Sequence, residues 1–239
     1  MKNNTEILEQ IKHELIVSCQ ALPDEPLHSS FIMGRMAKAA QLGGAKGIRA
    51  NSVEDIEEIK NVVPLPIIGI MKTEYAGSDV FITPTMKEVQ ALVDVGADII
   101  ALDATCRIRP DKQTIKECFP IIREKFPNQL FMADCSTYED GMLAYELGFD
   151  LVGTTMCGYT KETEAIELPH FNLIEKLANN LPIPIIAEGG IWTPEDLSRA
   201  FQCGAYAAVV GTAITRPKEI TERFAASLQD WKNHDLKSL

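Results

Sequence analysis

The stretches IIAEGG (residues 185–190) and VVGTAITR (residues 209–216) decide the fold of this chain. Each is a short apolar run that ends abruptly in small residues, which is typical of a buried parallel strand followed by a loop. Glycine directly after a strand leaves backbone N–H groups accessible, because no Cβ stands in the way. In (β/α)8 barrels the loops after strands seven and eight bind phosphate in this manner. The two stretches therefore predict an α/β fold, a (β/α)8 TIM barrel with phosphate-binding loops after strands 7 and 8.

Six apolar segments upstream complete a set of eight predicted strands. In chain order the strands are Leu15–Cys19, Lys46–Arg49, Pro66–Met71, Asp98–Asp103, Gln129–Asp134, Leu151–Thr154, Ile183–Glu188 and Ala205–Gly211. Amphipathic stretches of helix length separate most of them, as parallel crossover connections require. An open doubly wound sheet is the competing architecture. Its dinucleotide-binding form is disfavoured, because no Gly-x-Gly-x-x-Gly motif follows the first strand.

The residues that precede the strands form a repeat. A glycine introduces each even-numbered strand at intervals of a little over 50 residues, at Gly44, Gly96, Gly148 and Gly204. Such a glycine suits a left-handed helix cap that leads straight into a strand. Proline instead precedes the third, fifth and seventh strands. The alternation indicates a (βα)2 unit used four times.

Helix starts are marked by capping residues. We expect N-caps at Ser52, Thr85, Ser136 and Thr193, because each has a carboxylate side chain two or three residues further on. Thr193 is also followed by a proline, which suits the first helical position.

Length and composition set the class of protein. The 239 residues fit a single barrel domain, residues 1–239, with a short N-terminal helix and a frayed C-terminal tail from Lys232 onward. A net charge of −11 argues against nucleic acid or an anionic membrane as the main partner. The six cysteines show no Cys-x-x-Cys pairing, and the N-terminus lacks a signal-peptide core, so we expect a cytoplasmic protein.

Polar side chains end seven of the eight predicted strands. In chain order they are Gln20, Arg49, Lys72, Asp103, Asp134, Thr154-Thr155 and Glu188. In a barrel these ends meet at one mouth, where catalytic residues lie. Any one of them could serve the structure alone; Asp103, for example, could bind nearby backbone N–H groups. Five charged groups at one mouth instead indicate a reaction site.

Several kinds of chemistry are disfavoured, because the residues that they need are missing from the strand ends. No serine–histidine pair ends the strands, no histidine–carboxylate cluster has metal spacing, and redox motifs are missing, so neither a metal nor a cofactor is expected. His28, in the loop after the first strand, could contact a ligand or be structural. A lysine, carboxylates, an arginine and a phosphate-binding loop suit proton transfer next to a carbonyl in a sugar phosphate.

The motifs along the chain resemble those of the N-acetylmannosamine-6-phosphate 2-epimerase family, from about Leu15 to Phe224. The matching segments include Ser18–Pro23, Pro26–His28, Gly47–Asn51, Ile68–Lys72, Ile82–Thr85, Ala101–Thr105, Arg109-Pro110, Ala133–Thr137, Gly153–Thr155, Gly158–Thr160, Ile186–Gly189 and Gly211–Pro217. The resemblance implies interconversion of N-acetylmannosamine 6-phosphate and N-acetylglucosamine 6-phosphate, a step in breaking down sialic acid. One departure is Thr73, which stands where the family often has an arginine.

The resemblance also implies roles for individual residues. Lys72 and Glu188 match the catalytic lysine and glutamate. Gln20, Arg49, Asp134 and Arg216 match substrate-contacting positions. From the residues themselves we predict a phosphate site formed by Gly189, Gly190, Gly211, Thr212 and Arg216, and Thr154 and Tyr159 are further candidates for substrate binding. The partner is a small phosphosugar. Sequence leaves open whether Lys72 or Glu188 is the base at C2, because both would lie at that carbon.

The sequence leaves two alternative functions and one assembly open. A class I aldolase would use a Schiff-base lysine, but enzymes of that kind commonly carry it on the sixth strand, which here ends in Gly153-Thr154-Thr155. A phosphosugar sensor without turnover would not need Lys72 and Glu188. A homodimer is possible through the C-terminal helix, where Phe224, Leu228 and Trp231 form one stripe, although that stripe could equally cover the chain's own barrel.

Overall fold

Eight parallel strands, each hydrogen-bonded to its neighbours in chain order, close into a barrel. The structure is a computed structural model that describes residues 3–234, without the side chains of 229, 230 and 232–234. Pairing of β8 with β1 closes the barrel, with Ile16 opposite Val209. The strands are β1 (Leu15–Cys19), β2 (Gly47–Asn51), β3 (Ile67–Ile70), β4 (Ile99–Asp103), β5 (Leu130–Asp134), β6 (Leu151–Gly153), β7 (Ile185–Glu188) and β8 (Ala207–Val210). The predicted (β/α)8 barrel is confirmed, with strand ends displaced by at most three residues.

Helices follow every strand. α1 (Asn4–Ile11) precedes the barrel, and the others are α2 (Ser30–Leu42), α3 (Val53–Val62), α4 (Met86–Asp94), α5 (Ile115–Lys125), α6 (Tyr138–Leu147), α7 (Phe171–Asn180), α8 (Pro194–Gln202), α9 (Thr212–Thr215) and α10 (Pro217–His234). α10 continues through Lys232, where the sequence predicted a frayed tail, and residues 235–239 of that tail lie outside the described residues. Between residues 3 and 234, no helix is both long and apolar enough to cross a membrane.

The four glycines of the repeat adopt the left-handed backbone conformation that the sequence predicts. Gly44, Gly96, Gly148 and Gly204 have φ angles of 109°, 73°, 88° and 93°. These values lie in the left-handed region that side chains with a Cβ rarely adopt. Gly148 caps α6 and directs its N–H back to Ala144 and Tyr145. Each even strand therefore starts from a sharp reversal that only glycine adopts readily.

Three of the four predicted helix caps are observed. Ser52, Thr85 and Thr193 accept hydrogen bonds from backbone N–H groups in the first turns of α3, α4 and α8. The prediction for Ser136 was wrong by one residue, because Thr137 is the N-cap of α6 and forms a capping box with Asp140. The Ser136 hydroxyl donates instead to the same Asp140 carboxylate, at 2.7 Å.

Apolar packing fills the barrel and closes its lower end. Side chains from the strands form an interior cluster with Ile7 and Ile11 of α1, which cover the N-terminal ends of the strands. The Tyr206 hydroxyl holds α1 in place by donating to the Leu8 carbonyl at 3.0 Å. Burying an isoleucine fully contributes about 1.5–3 kcal/mol. Because this end is sealed by hydrocarbon, polar chemistry is confined to the opposite end, where the strands finish.

Candidate active site

A cavity of about 510 Å³ lies at the C-terminal ends of the strands. Ten of the twelve predicted site residues line it: Gln20, Arg49, Lys72, Tyr159, Glu188, Gly189, Gly190, Gly211, Thr212 and Arg216. The sequence prediction that residues far apart in the chain converge on one mouth therefore matches the geometry. The other two predicted residues, Asp134 and Thr154, lie outside the cavity lining.

Arg49 organises the carboxylates beneath the cavity. Its guanidinium, only 1% exposed, donates to both oxygens of Asp134, at 3.1 and 2.6 Å. The same Nη1 lies 3.1 Å from Glu188 Oε2. Such a planar fork of donors fixes the positions of its partners as well as neutralising their charge. Burial alone would lower the pKa of Arg49, but Asp134 and Glu188 raise it above the ordinary value, so the residue stays cationic.

Asp134 and Thr154 position other site residues. Asp134 is fully buried and also accepts a hydrogen bond from the Thr155 hydroxyl, at 2.7 Å. The Thr154 hydroxyl donates to the Glu188 carbonyl at 2.8 Å and accepts from the Glu188 N–H at 3.0 Å. Both side chains therefore support other site residues, and their direct contact with substrate stays a prediction.

Of the two threonines that follow β6, Thr155 is the one that lines the cavity. Its hydroxyl lies 3.3 Å from Glu188 Oε2 as well as 2.7 Å from Asp134 Oδ1. Two adjacent threonines follow β6, and the apolar pattern did not indicate which one faces inward.

The environment of Glu188 shifts its titration toward neutral pH. Burial raises the pKa of this carboxyl to about 7. Arg49 and Lys72 oppose the shift, whereas the Asp134 carboxylate adds to it. A carboxyl with this pKa can both give and take a proton at physiological pH.

Lys72 is shifted in the opposite direction. Burial, with help from the cations Arg49 and Arg216, lowers the pKa of its ammonium to about 8. Glu188 and Glu25 act against this change. A pKa of about 8 leaves a minor but usable neutral fraction of the amine near pH 7, and that fraction can act as a base. Since Lys72 and Glu188 each perturb the other, the two groups lie within electrostatic range across the same cavity.

The side-chain amide of Gln20 is only partly satisfied by hydrogen bonds within the protein. Its Nε2 donates to Ser18 Oγ at 2.8 Å. Its Oε1 is one of two buried side-chain polar atoms without a hydrogen-bond partner among the described residues, the other being Arg49 Nε. A buried polar atom without a partner is costly. A ligand hydroxyl bound in the cavity would satisfy the Gln20 oxygen.

The predicted phosphate-binding loops lie together at one side of the cavity. Gly189 and Gly190 have φ angles of 109° and 71°. A Cβ on Gly190 would come within 2.3 Å of the Leu168 side chain, so a larger residue does not fit. Arg216 lies in the same wall, where its Nη1 is paired with Glu25 at 2.7 Å and lies 3.7 Å from Glu219.

Several cavity residues were not predicted. Ser18 lies two residues before Gln20, and side chains two apart on a strand share a face, so that signal was present in the sequence. Phe81, Leu168 and Trp192 come from loops between the strands and their helices. Sequence periodicity does not reveal which loop side chains turn inward.

The structure also gives the positions of His28 and Thr73, whose roles the sequence did not decide. His28 binds the Ala21 carbonyl through Nδ1 at 3.0 Å and lies outside the cavity lining. Thr73 donates its backbone N–H to the Phe81 carbonyl at 2.9 Å. Among residues 3–234, no group of three or more His, Cys, Asp or Glu side chains could hold a metal ion.

Comparison with known proteins identifies relatives along almost the whole chain. The model of the NanE family, described as "Putative N-acetylmannosamine-6-phosphate epimerase", matches residues 33–230. A protein of Caldanaerobacter subterraneus named "Putative N-acetylmannosamine-6-phosphate 2-epimerase" is 52% identical over 233 residues, which is 98% of each chain. A protein of the same name from Clostridium perfringens is 54% identical over 223 residues, or 93% of this chain and 100% of the relative.

Solved structures agree with these matches. A structure of the N-acetylmannosamine-6-phosphate 2-epimerase from Clostridium perfringens superimposes with a TM-score of 0.87 at 54% identity, covering 92% of this chain and 95% of that one. A thiamine phosphate pyrophosphorylase from Pyrococcus furiosus has a TM-score of 0.58 at 16% identity and shares the fold alone.

Proposed function

The chain belongs to the N-acetylmannosamine-6-phosphate epimerase family, and from that premise we propose how its residues act as an isomerase. The enzyme interconverts N-acetyl-D-mannosamine 6-phosphate and N-acetyl-D-glucosamine 6-phosphate, which differ in configuration at C2. The single observation that supports the assignment of roles is that Lys72 and Glu188 line one cavity with pKa values of about 8 and about 7.

The reaction requires two proton-transfer tasks. The C2–H bond is acidic only when C1 is an open-chain aldehyde, so the sugar ring must open before the proton leaves. In our proposal Glu188 exchanges protons with the sugar oxygens that open and close the ring. Neutral Lys72 removes the proton from C2. The resulting Lys72 ammonium, whose protons exchange with solvent, returns a proton to C2 after the enolate has turned its opposite face toward it. This step regenerates the neutral amine and gives the epimer.

The remaining residues hold the substrate and the two reactive groups. Arg49 keeps Glu188 in place through the 3.1 Å contact and presents a fixed positive charge where the enolate oxygen develops. Gln20 accepts a substrate hydroxyl, and Asp134 holds Arg49. Because these groups are fixed before substrate binds, little reorganisation is needed during the reaction.

Proton NMR of N-acetylmannosamine 6-phosphate with the enzyme in heavy water tests the function. We expect the product to be N-acetylglucosamine 6-phosphate with deuterium at C2, because the proton removed exchanges with solvent. The spectrum identifies the product and reports the exchange together. Formation of a shorter sugar, or binding without loss of the H2 signal, would instead indicate an aldolase or a sensor.

Arg216 is proposed to bind the phosphate together with the N–H groups of Gly190, Gly211 and Thr212. Replacing Arg216 with alanine should raise KM for the phosphosugar about 10- to 100-fold, the effect of losing a hydrogen bond to a charged group. Steady-state kinetics should show no comparable change for unphosphorylated N-acetylmannosamine. Arg35→Ala, which removes a half-exposed arginine on α2, is the control. An unchanged KM in Arg216→Ala would exclude this role.

We also propose that the chain forms a homodimer through α10. Phe224, Leu228 and Trp231 are 75%, 52% and 47% exposed and recur at helical spacing. A second copy of the same stripe would remove these apolar groups from water. A mass of one chain by light scattering at micromolar concentration would contradict the proposal.

The unpaired cysteine pattern supports a cytoplasmic location, where thiols stay reduced.

A further inference from the structure

Lys72 lies in a short hairpin immediately after β3. Lys72 and Ile82 form an antiparallel bridge. On either side, the Thr73 N–H donates to the Phe81 carbonyl at 2.9 Å and the Thr83 N–H donates to the Met71 carbonyl at 2.7 Å. We call residues 71–83 the Lys72 hairpin. Its return arm pairs with Lys72 through Ile82, and Phe81 and Ile82 line the same cavity as the lysine. The position and burial of the amine therefore depend on this hairpin staying closed.

The base of the hairpin is a strained turn. Thr83 is fully buried and has a φ angle of 47°. This region is unfavourable for a β-branched residue, so other contacts must hold the conformation. The Thr83 hydroxyl accepts a hydrogen bond from the Met71 N–H at 3.2 Å, which links the turn to the arm that carries Lys72.

Arg109 supplies the contacts that hold this turn. Its side chain is 2% exposed. Its guanidinium donates to the carbonyls of Thr83 at 2.8 Å, Pro84 at 2.9 Å and Asp103 at 2.7 Å. Thr83 is the last residue of the hairpin, Pro84 directly follows it, and Asp103 ends β4. A buried cation directed at three backbone carbonyls fastens the turn to the barrel wall.

We propose that Arg109 is a positioning residue for Lys72, because it holds the base of the Lys72 hairpin against the end of β4. Arg109 lies outside the cavity lining and therefore acts through the hairpin and not on the substrate. The inference deepens the function proposed above and depends on Lys72 having the catalytic role given there.

Loosening the hairpin would have two consequences. The amine would lose its fixed position relative to C2, and a displacement of about 1 Å can lower the rate about 100-fold. More water would also surround Lys72, and since burial is the main cause of its lowered pKa, that pKa would rise. Substrate binding would change little, because the phosphate loops and Arg49 belong to other strands.

The test compares Arg109→Ala and Arg109→Lys with the wild-type enzyme. In Arg109→Ala we expect kcat to fall about 10- to 100-fold with KM within about threefold of wild type. We expect Arg109→Lys to recover part of the loss, since its ammonium can still donate to some of the carbonyls. The pKa of Lys72 itself is measured by acetic anhydride labelling at a series of pH values, read by mass spectrometry of the Lys72 peptide. It should rise from about 8 in both variants.

Arg123→Ala is the matched control. Arg123 also binds two backbone carbonyls, of Gln129 at 2.8 Å and Gly148 at 2.9 Å, but at the N-terminal ends of the strands. It should lower thermal stability without changing the Lys72 pKa or kcat. If Arg109→Ala does not fold, the kcat and the Lys72 pKa of Arg109→Lys decide whether the proposal holds.

An unchanged Lys72 pKa and kcat in the folded Arg109 variants would overturn the proposal. A loss of stability alone, as in Arg123→Ala, would overturn it too. Because the labelling reports the amine without turnover, this outcome is distinguishable from a failure of the catalytic role of Lys72.

Discussion

Replacement of Lys72 with methionine should stop the entry of solvent deuterium at C2 of the substrate. Methionine has a similar length but offers no nitrogen lone pair to accept the proton, and removal of a general base commonly costs about 10²–10⁴ in rate. Both epimerisation and exchange should therefore fall by at least about 10²-fold. The measurement is proton NMR of either phosphosugar in heavy water with the variant.

The control for this variant is Lys87→Met. Lys87 is an exposed residue in the first turn of α4, so the same substitution there should leave the exchange rate unchanged. Binding of the substrate should survive in Lys72→Met, because Arg49, Gln20 and the phosphate loops remain. Exchange at the wild-type rate in this variant would exclude Lys72 as the base and would assign that task to Glu188.

Replacement of Glu188 with glutamine should lower the rate of epimerisation about 10²- to 10³-fold by a different route. The amide keeps the size of the side chain but cannot transfer a proton to the ring oxygens. The enzyme would then depend on sugar that opens spontaneously in solution. We therefore expect the rate to become independent of enzyme concentration once the enzyme consumes open-chain sugar faster than it forms.

The dependence of the rate on enzyme concentration distinguishes two possible roles of Glu188, proton transfer to the ring oxygens and proton removal from C2. If Glu188 were the base at C2, the residual rate of Glu188→Gln would stay proportional to enzyme concentration, and the proposed division of tasks would be wrong. Glu195→Gln is the control, since Glu195 is an exposed carboxylate in the first turn of α8. The same NMR assay, repeated over a range of enzyme concentrations, gives the answer.

The barrel was predictable because its strands are buried on both faces. Such strands read as apolar runs, and the next polar residue marks the C-terminal end, as at Lys72 and Glu188. Closure of the barrel then places these residues at one mouth. The glycines before the even strands were predictable for an equally local reason, since only glycine adopts their backbone conformation readily.

The fine structure of the site was less predictable, because it depends on side-chain direction and on loops. Thr154 and Thr155 are chemically identical in sequence, yet one supports the backbone of Glu188 and the other faces the cavity. Asp134 was expected at the substrate and lies against Arg49. The hydrogen bonds of Arg109 join positions 25 and 26 residues apart, and in one case six, which no periodic pattern records.

The contact between Arg216 and Glu25 has a consequence for turnover. Glu25 is the counter-ion of the Arg216 guanidinium, at 2.7 Å. If Arg216 binds the phosphate as proposed, an arriving phosphosugar would replace one anion with another. Such an exchange would weaken the binding of substrate and product alike, because the carboxylate competes for the same donors. The product would leave as Glu25 returns, so the pair would favour rapid release over tight retention.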